Sequence, residues 1–149
     1  MVYKQTFKTL WSSFDANKHM RHSAYNDYAA ESRVRFFNSS GFNIDRWDSE
    51  HFGPILFSEE TKFLREIKLG DDITVETYLE GVSANAERFK FFHRLLRNDG
   101  VLSAEIRVYG AWLDTQKRKL TAPPEALAAI FKHLERTDDF HEIPIKSTK

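Results

Sequence analysis

Between Ile55 and Asp114 the chain offers four extended stretches in a row, and short polar turns are all that separates them. Ile73 to Gly81 alternates Ile73, Val75, Thr77 and Leu79 on one face. Arg88 to Arg97 sets Phe89, Phe91, His93 and Leu95 on one face, and Val101 to Asp114 does the same with Leu102, Ala104, Ile106, Val108, Gly110 and Trp112. A period of two is the mark of a strand with one buried side. The breaks are Gly70-Asp71-Asp72, Ser83-Ala84-Asn85 and Asn98-Asp99-Gly100, all residues that favour tight turns. Parallel neighbours need a long crossover, and none of these turns is long enough. The run therefore predicts an antiparallel sheet. The first stretch, Ile55 to Leu69, reads as one long extended segment.

An antiparallel sheet with one apolar face needs a cover, and the sequence upstream supplies it. Tyr25, Tyr28, Ala29, Ser32 and Phe36 recur at three- and four-residue spacing, which predicts an amphipathic helix over residues 24–40. Ser23 is the expected N-cap and Gly41 the stop. A short strand is expected at Val2 to Leu10, irregular chain at 42–54, and a last helix from about Pro123 to Arg136. Residues 137–149 read as a loosely structured tail. The order strand, helix, four strands, helix describes a single α+β domain over 1–149, with the sheet wrapped around the helix at 24–40.

Composition narrows the chemistry. Thirteen Phe and 41 % apolar residues can fill a core. Lys plus Arg and Asp plus Glu balance at 22 each, so there is no global field to attract nucleic acid. The chain has no cysteine, which removes disulfides, thiolate nucleophiles and Cys-ligated zinc. No apolar run is long enough to span a membrane, and the first residues lack an apolar signal core, so a cytoplasmic protein is expected. Neither a G-x-S-x-G elbow nor a phosphate-cradling glycine loop is present.

The informative stretch is Phe14-Asp15-Ala16-Asn17-Lys18-His19-Met20-Arg21-His22, set just before the helix. A carboxylate, a carboxamide and an imidazole fall at alternate positions. Asp15 can serve as a base or nucleophile, Asn17 can orient a partner, and His19 can move a proton near neutral pH. The helix start adds unpaired N–H groups that can steady a carbonyl oxygen as it gains charge. Those are the parts needed for acyl transfer from a thioester. A calcium loop fails on Met20, where glycine is required, and on Asn26, where the twelfth ligand should be Glu.

The run from Asp15 to Phe37 resembles the motif region of the hotdog-fold thioesterases. There an Asp leads through a Gly/Asn–His–Val–Asn–Asn-like segment into a helix that opens with Tyr. Tyr25, Glu31 and Arg33 resemble the family's Tyr … Glu-x-Arg continuation. Phe63 to Asp72 and Asn98-Asp99-Gly100 resemble its later strand elements, and Pro123-Pro124-Glu125 its last helix. Arg21-His22 stands where two Asn are usual. The resemblance implies a hydrolase for acyl-CoA or acyl carrier protein thioesters, with Asp15 as nucleophile or general base. It implies Asn17 and His19 as helpers and the His22 backbone amide as the donor polarising the carbonyl. Tyr25 would line the acyl pocket, and Glu59 or Glu60 would supply a second carboxylate, as a strand Glu does in the plant-type enzymes. Adjacent strand residues point to opposite faces, so only one of those two can face the helix. No metal or redox cofactor is implied. The family's sites form between subunits, so a homodimer or homotetramer is expected.

Overall fold

The computed structural model describes residues 2–145. Its strands are β1 (Tyr3–Lys8), β2 (Phe52–Phe63), β3 (Asp72–Val82), β4 (Arg88–Arg97), β5 (Leu102–Asp114), β6 (Lys119–Thr121) and β7 (Arg136–Glu142). The helices are α1 (His22–Ser39), α2 (Ile44–Ser49) and α3 (Glu125–Ile130). The strands join in the order β1-β3-β4-β5-β2, every neighbouring pair antiparallel. β6 adds to β5, and β7 adds to β3 in parallel. α1 packs on one face of this sheet, the hotdog arrangement, and β2 is left as a free edge.

The predicted faces are the buried ones. Ile73, Val75, Thr77 and Leu79 of β3, and Phe89, Phe91, His93 and Leu95 of β4, are nearly sealed from solvent. On α1 the stripe Tyr25, Tyr28, Ala29, Ser32 and Phe36 faces the sheet. The centre of the core is aromatic. The Trp112 ring lies 5.4 Å from Phe89, 5.6 Å from Phe37 and 5.7 Å from Phe52. Tilted and edge-on ring pairs of this kind contribute about 0.5–1.5 kcal/mol each beyond simple area burial. Gly110 is needed where the layers meet: a Cβ there would lie 2.4 Å from the Ile55 carbonyl oxygen and 2.7 Å from Phe89.

Several boundaries differ from the sequence expectation, each for a local reason. α1 begins at His22, and its N-cap is Arg21 instead of Ser23. The Ser23 hydroxyl instead accepts a hydrogen bond from Arg21 at 2.6 Å. The stretch 42–54 holds α2, whose Asn43 cap accepts from the Arg46 amide; six residues are too few to show a period. The long extended segment ends at Phe63, and 64–69 turns away to meet the loop before α1. The last helix closes at Ile130 and passes into a 3₁₀ turn, Phe131–His133. The expected tail is structured in its first part, because β7 docks on β3 beyond the point where β1 ends. Residues 146–149 of that tail lie outside the described residues.

Candidate active site

The site is built on the turn that feeds α1. Upstream, the Tyr28 hydroxyl on α1 takes the Leu10 amide at 3.1 Å and lies 2.9 Å from the Ser13 hydroxyl. This ties the segment before the turn to the helix. The chain then reverses: Phe14 pairs with Met20, the Asp15 amide donates to the His19 carbonyl, and the Lys18 amide donates to the Asp15 carbonyl. Lys18 takes the left-handed backbone conformation that closes such a turn, with φ +63. The outer side of the turn is stitched to residues 67–69, by Met20 N–H to the Ile67 carbonyl and Leu69 N–H to the Lys18 carbonyl.

Within this frame Asp15, Asn17 and His19 do come together. One oxygen of Asp15, Oδ1, accepts the Asn17 amide at 2.9 Å and the His19 amide at 3.2 Å. This is an Asx-type turn, so the carboxylate shapes the loop as well as being displayed by it. Oδ2 makes no hydrogen bond among the described residues. The Asn17 side chain is exposed, and its backbone, not its amide group, meets Asp15. His19 Nε2 lies 3.1 Å from Glu66 Oε2, an ion pair when the ring is protonated. Glu66 is the partner that the sequence reading missed, because its place beside His19 depends on the bridge between His19 and Lys68.

His22 is the first residue of α1, so its backbone N–H has no acceptor inside the helix. It stands at the positive end of the helix dipole, seven residues after Asp15. Two clefts lie in this region. One, of about 250 Å³, is lined by Trp11, Phe14, Asp15, Lys18 and Leu69. The other, of about 530 Å³, is lined by Tyr25, Phe63, Glu66, Lys68 and Arg97. Tyr25 is buried, edge-on to Phe63 at 5.0 Å, and burial raises its phenol pKa while a hydrogen bond with the Ile67 backbone opposes the rise. A larger cavity of about 740 Å³ lies at the opposite end of β3, between α3 and β7. It contains none of the residues of the turn, so size alone does not locate the chemistry.

The two strand carboxylates part company. Glu59 is paired across the ladder with Val108, a core residue, whereas Glu60 is paired with Arg107, which lies on the outer face with Glu80 and Phe92. Cross-strand partners share a face, so Glu59 looks toward α1 and Glu60 away from it. Thr61, two residues on from Glu59, confirms the side by bonding Asn26 of α1 at 3.0 Å. Among the described residues Glu59 makes no hydrogen bond or ion pair with the Asp15 turn. Its field falls on Arg33, further along α1.

Arg33 belongs to a second polar feature, deep in the core. Its Nη1 lies 3.0 Å from His93 Nε2, and His93 Nδ1 lies 3.0 Å from the Thr77 hydroxyl. Arginine can only donate, so Nε2 must be the bare nitrogen and the proton sits on Nδ1, facing Thr77. His93 is completely buried; desolvation, then the adjacent Arg33 charge, hold its pKa well below the ordinary imidazole value. Burial also lowers Arg33 to about 10, still cationic at neutral pH. The signal for this feature was legible as a histidine inside the inward series Phe89, Phe91, His93 and Leu95.

Among the described residues no helix is long and apolar enough to cross a membrane. Three solved structures share the architecture. A hypothetical protein of Staphylococcus aureus, SAV2348, in complex with CoA, superposes with a TM-score of 0.84 at 23 % identity, covering 98 % of this chain and 96 % of that one. A 1,4-dihydroxy-2-naphthoyl-CoA thioesterase from Synechocystis, Slr0204, gives 0.79 at 14 % identity over 89 % of this chain and 96 % of the other. A DHNA-CoA thioesterase from Staphylococcus aureus gives 0.80 at 11 % identity over 89 % of each chain. At these identities the likeness is one of fold. No curated protein matches the sequence. The family model described as the Thioesterase-like superfamily matches residues 9–131, and the chain belongs to that superfamily.

Proposed function

We propose that this protein hydrolyses an acyl thioester, of CoA or of acyl carrier protein, at the turn before α1. The observation that carries the reading is the state of Asp15. Two backbone amides grip Oδ1 and fix the carboxylate, while Oδ2 makes no hydrogen bond among the described residues. The first unpaired amide of α1, that of His22, follows on the same short segment. A thioester carbonyl seated between them is polarised by the amide. Asp15 then either takes a proton from a water whose oxygen attacks the carbonyl carbon, or attacks that carbon itself to give an acyl anhydride that water cleaves. On either route the C–S bond breaks, the thiolate leaves and is protonated, and the acid is released. His19, paired with Glu66, gives the thiolate its proton and regains one from the proton that the attacking water releases.

Glu59 and Tyr25 enter this reading through assembly. β2 is a twelve-residue edge strand whose Leu56, Phe57 and Phe63 are exposed. A free edge of that length invites a second copy. Joining two chains along β2 would bring Glu59 and the Tyr25 cleft of one toward the turn of the other. Glu60, on the outer face, is left out of the site.

The test is thiol release from short, long and aromatic acyl-CoAs and from acyl carrier protein thioesters, with light scattering on the same preparation. The expected result is release from at least one class by a dimer or larger assembly. No release from any thioester would reject hydrolysis in favour of an acyl-binding protein. A fully active monomer would reject the shared site.

A further inference from the structure

Resting on the hydrolase reading, one more site can be specified, and it concerns the acyl end of the substrate. Arg33 is 8 % exposed and among the described residues makes one hydrogen bond, to a neutral imidazole. No carboxylate among the described residues forms an ion pair with it. A guanidinium carries five N–H donors, so most of its hydrogen-bonding capacity is left over, and Glu59, whose field reaches it, makes no direct ion pair with it. Buried charges ordinarily have a counterion, because removing an ion from water is costly.

Arg33 borders a cavity of about 150 Å³ between α1, α2 and β2 whose other walls include Phe37, Leu56 and Phe91. Trp47 of α2 forms another wall of the same cavity. A cavity of this size holds a benzene-sized group. An apolar chamber with one cation in its wall is complementary to a carboxylate on a small apolar stem. Thr77 and His93 hold the guanidinium from behind, so it does not need the ligand to stay in place.

We propose that this cavity binds a carboxylate through Arg33, with its apolar stem against Trp47, and that the acyl group hydrolysed here carries such a carboxylate at its far end. Arg33 follows His22 by eleven residues on α1, about 16 Å at the helical rise of about 1.5 Å per residue. That is the span the acyl chain must cover if the reacting turn belongs to the same chain. A shared site would set a different span, and the preferred chain length reports which holds.

Two measurements on the full chain test this. In the first, benzoate and its neutral analogue benzamide are titrated while the indole N–H signals are followed by NMR, with Trp47→Phe identifying the Trp47 signal. Benzoate should move that signal and bind at least tenfold more tightly than benzamide, and Arg33→Met should abolish the difference. Arg33→Lys keeps the charge but loses the fork, and should retain only part of it; it also serves if the methionine variant fails to fold. In the second, acyl-CoAs ending in a carboxylate are compared with methyl-ended ones of equal length. Wild type should favour the carboxylate series in kcat/KM by at least tenfold, and Arg33→Met should erase the preference. Hydrolysis with no such preference, and no effect of benzoate on Trp47, overturns the proposal and leaves the hydrolase standing. Benzoate bound at Trp47 without hydrolysis of any thioester overturns the hydrolase and the acyl assignment together, while the carboxylate site remains.

Discussion

Two histidines show how differently this molecule uses one residue type. His19 sits on the turn at the start of α1, half exposed, opposite the exposed carboxylate of Glu66. His93 sits in the middle of the sheet, sealed from water, between Arg33 and Thr77. The turn is held by its backbone and by Oδ1 of Asp15, which leaves Oδ2 and the half-exposed His19 ring at the surface. The interior line is held by its side chains, and the surrounding rings leave them one arrangement. A surface site of this kind can trade protons with water and substrate. A buried one fixes a charge in place at a cost that falls on stability.

The sharpest way to break this contrast is at Asp15. Asp15→Asn keeps an acceptor oxygen for the Asn17 and His19 amides, so the turn should survive. Thiol release should fall by roughly 10²–10⁴-fold, the range associated with a positioned acid–base group. Circular dichroism and thermal melts should match wild type. A pure variant with near-wild-type turnover would remove Asp15 from the chemistry. The interior should respond in the opposite sense. Gly110→Ala drives a Cβ into the Ile55 carbonyl and the Phe89 ring. Overpacking of that kind should cost about 1–3 kcal/mol or more in urea unfolding. A variant as stable as wild type would show that the two layers can part more easily than the contact distances suggest.

Acid sharpens the contrast between the histidines. The folded protein keeps His93 neutral well below the pH at which an unfolded histidine takes up a proton, near 6.5. As pH falls below about 6.5 the unfolded state therefore binds a proton that the folded state refuses, and stability drops. The slope due to this residue is at most about 1.4 kcal/mol per pH unit. Urea unfolding at a series of pH values from 7.5 down to 4.5 should show that slope in wild type. It should be shallower in His93→Gln, which cannot titrate; parallel curves would sink the idea. The smallest effect should come from the surface. Glu66→Gln removes the partner of His19 and should change stability by less than about 1 kcal/mol, an effect that salt screens further. A larger change would mean that the turn depends on this pair and not on its backbone ladder.

How much of this was legible beforehand depends on whether the information is local. The faces of β3, β4 and β5 could be written down from a period of two, and the buried stripe of α1 from a period near four, because each period repeats often enough to stand out. α2 and β6 span six and three residues, too short for their periods to show, and β7, Arg136-Thr137-Asp138-Asp139-Phe140-His141-Glu142, does not alternate; it pairs where β3 offers it an unpaired stretch. The start of α1 was misplaced for a related reason. Ser23 has the right chemistry for a cap, but Arg21 claims its hydroxyl and the helix opens before it.

The sequence by itself determined an antiparallel sheet, the helix it wraps, and a turn displaying Asp15, Asn17 and His19 ahead of that helix. These follow from side-chain period and turn chemistry, which act over a few residues. Tertiary structure alone decided that Glu66 faces His19, that Glu59 and not Glu60 looks toward α1, and that Arg33 is buried against His93 at the border of a cavity. Each of those depends on strand register and on the packing of segments distant in the chain, and register is set by the whole core at once.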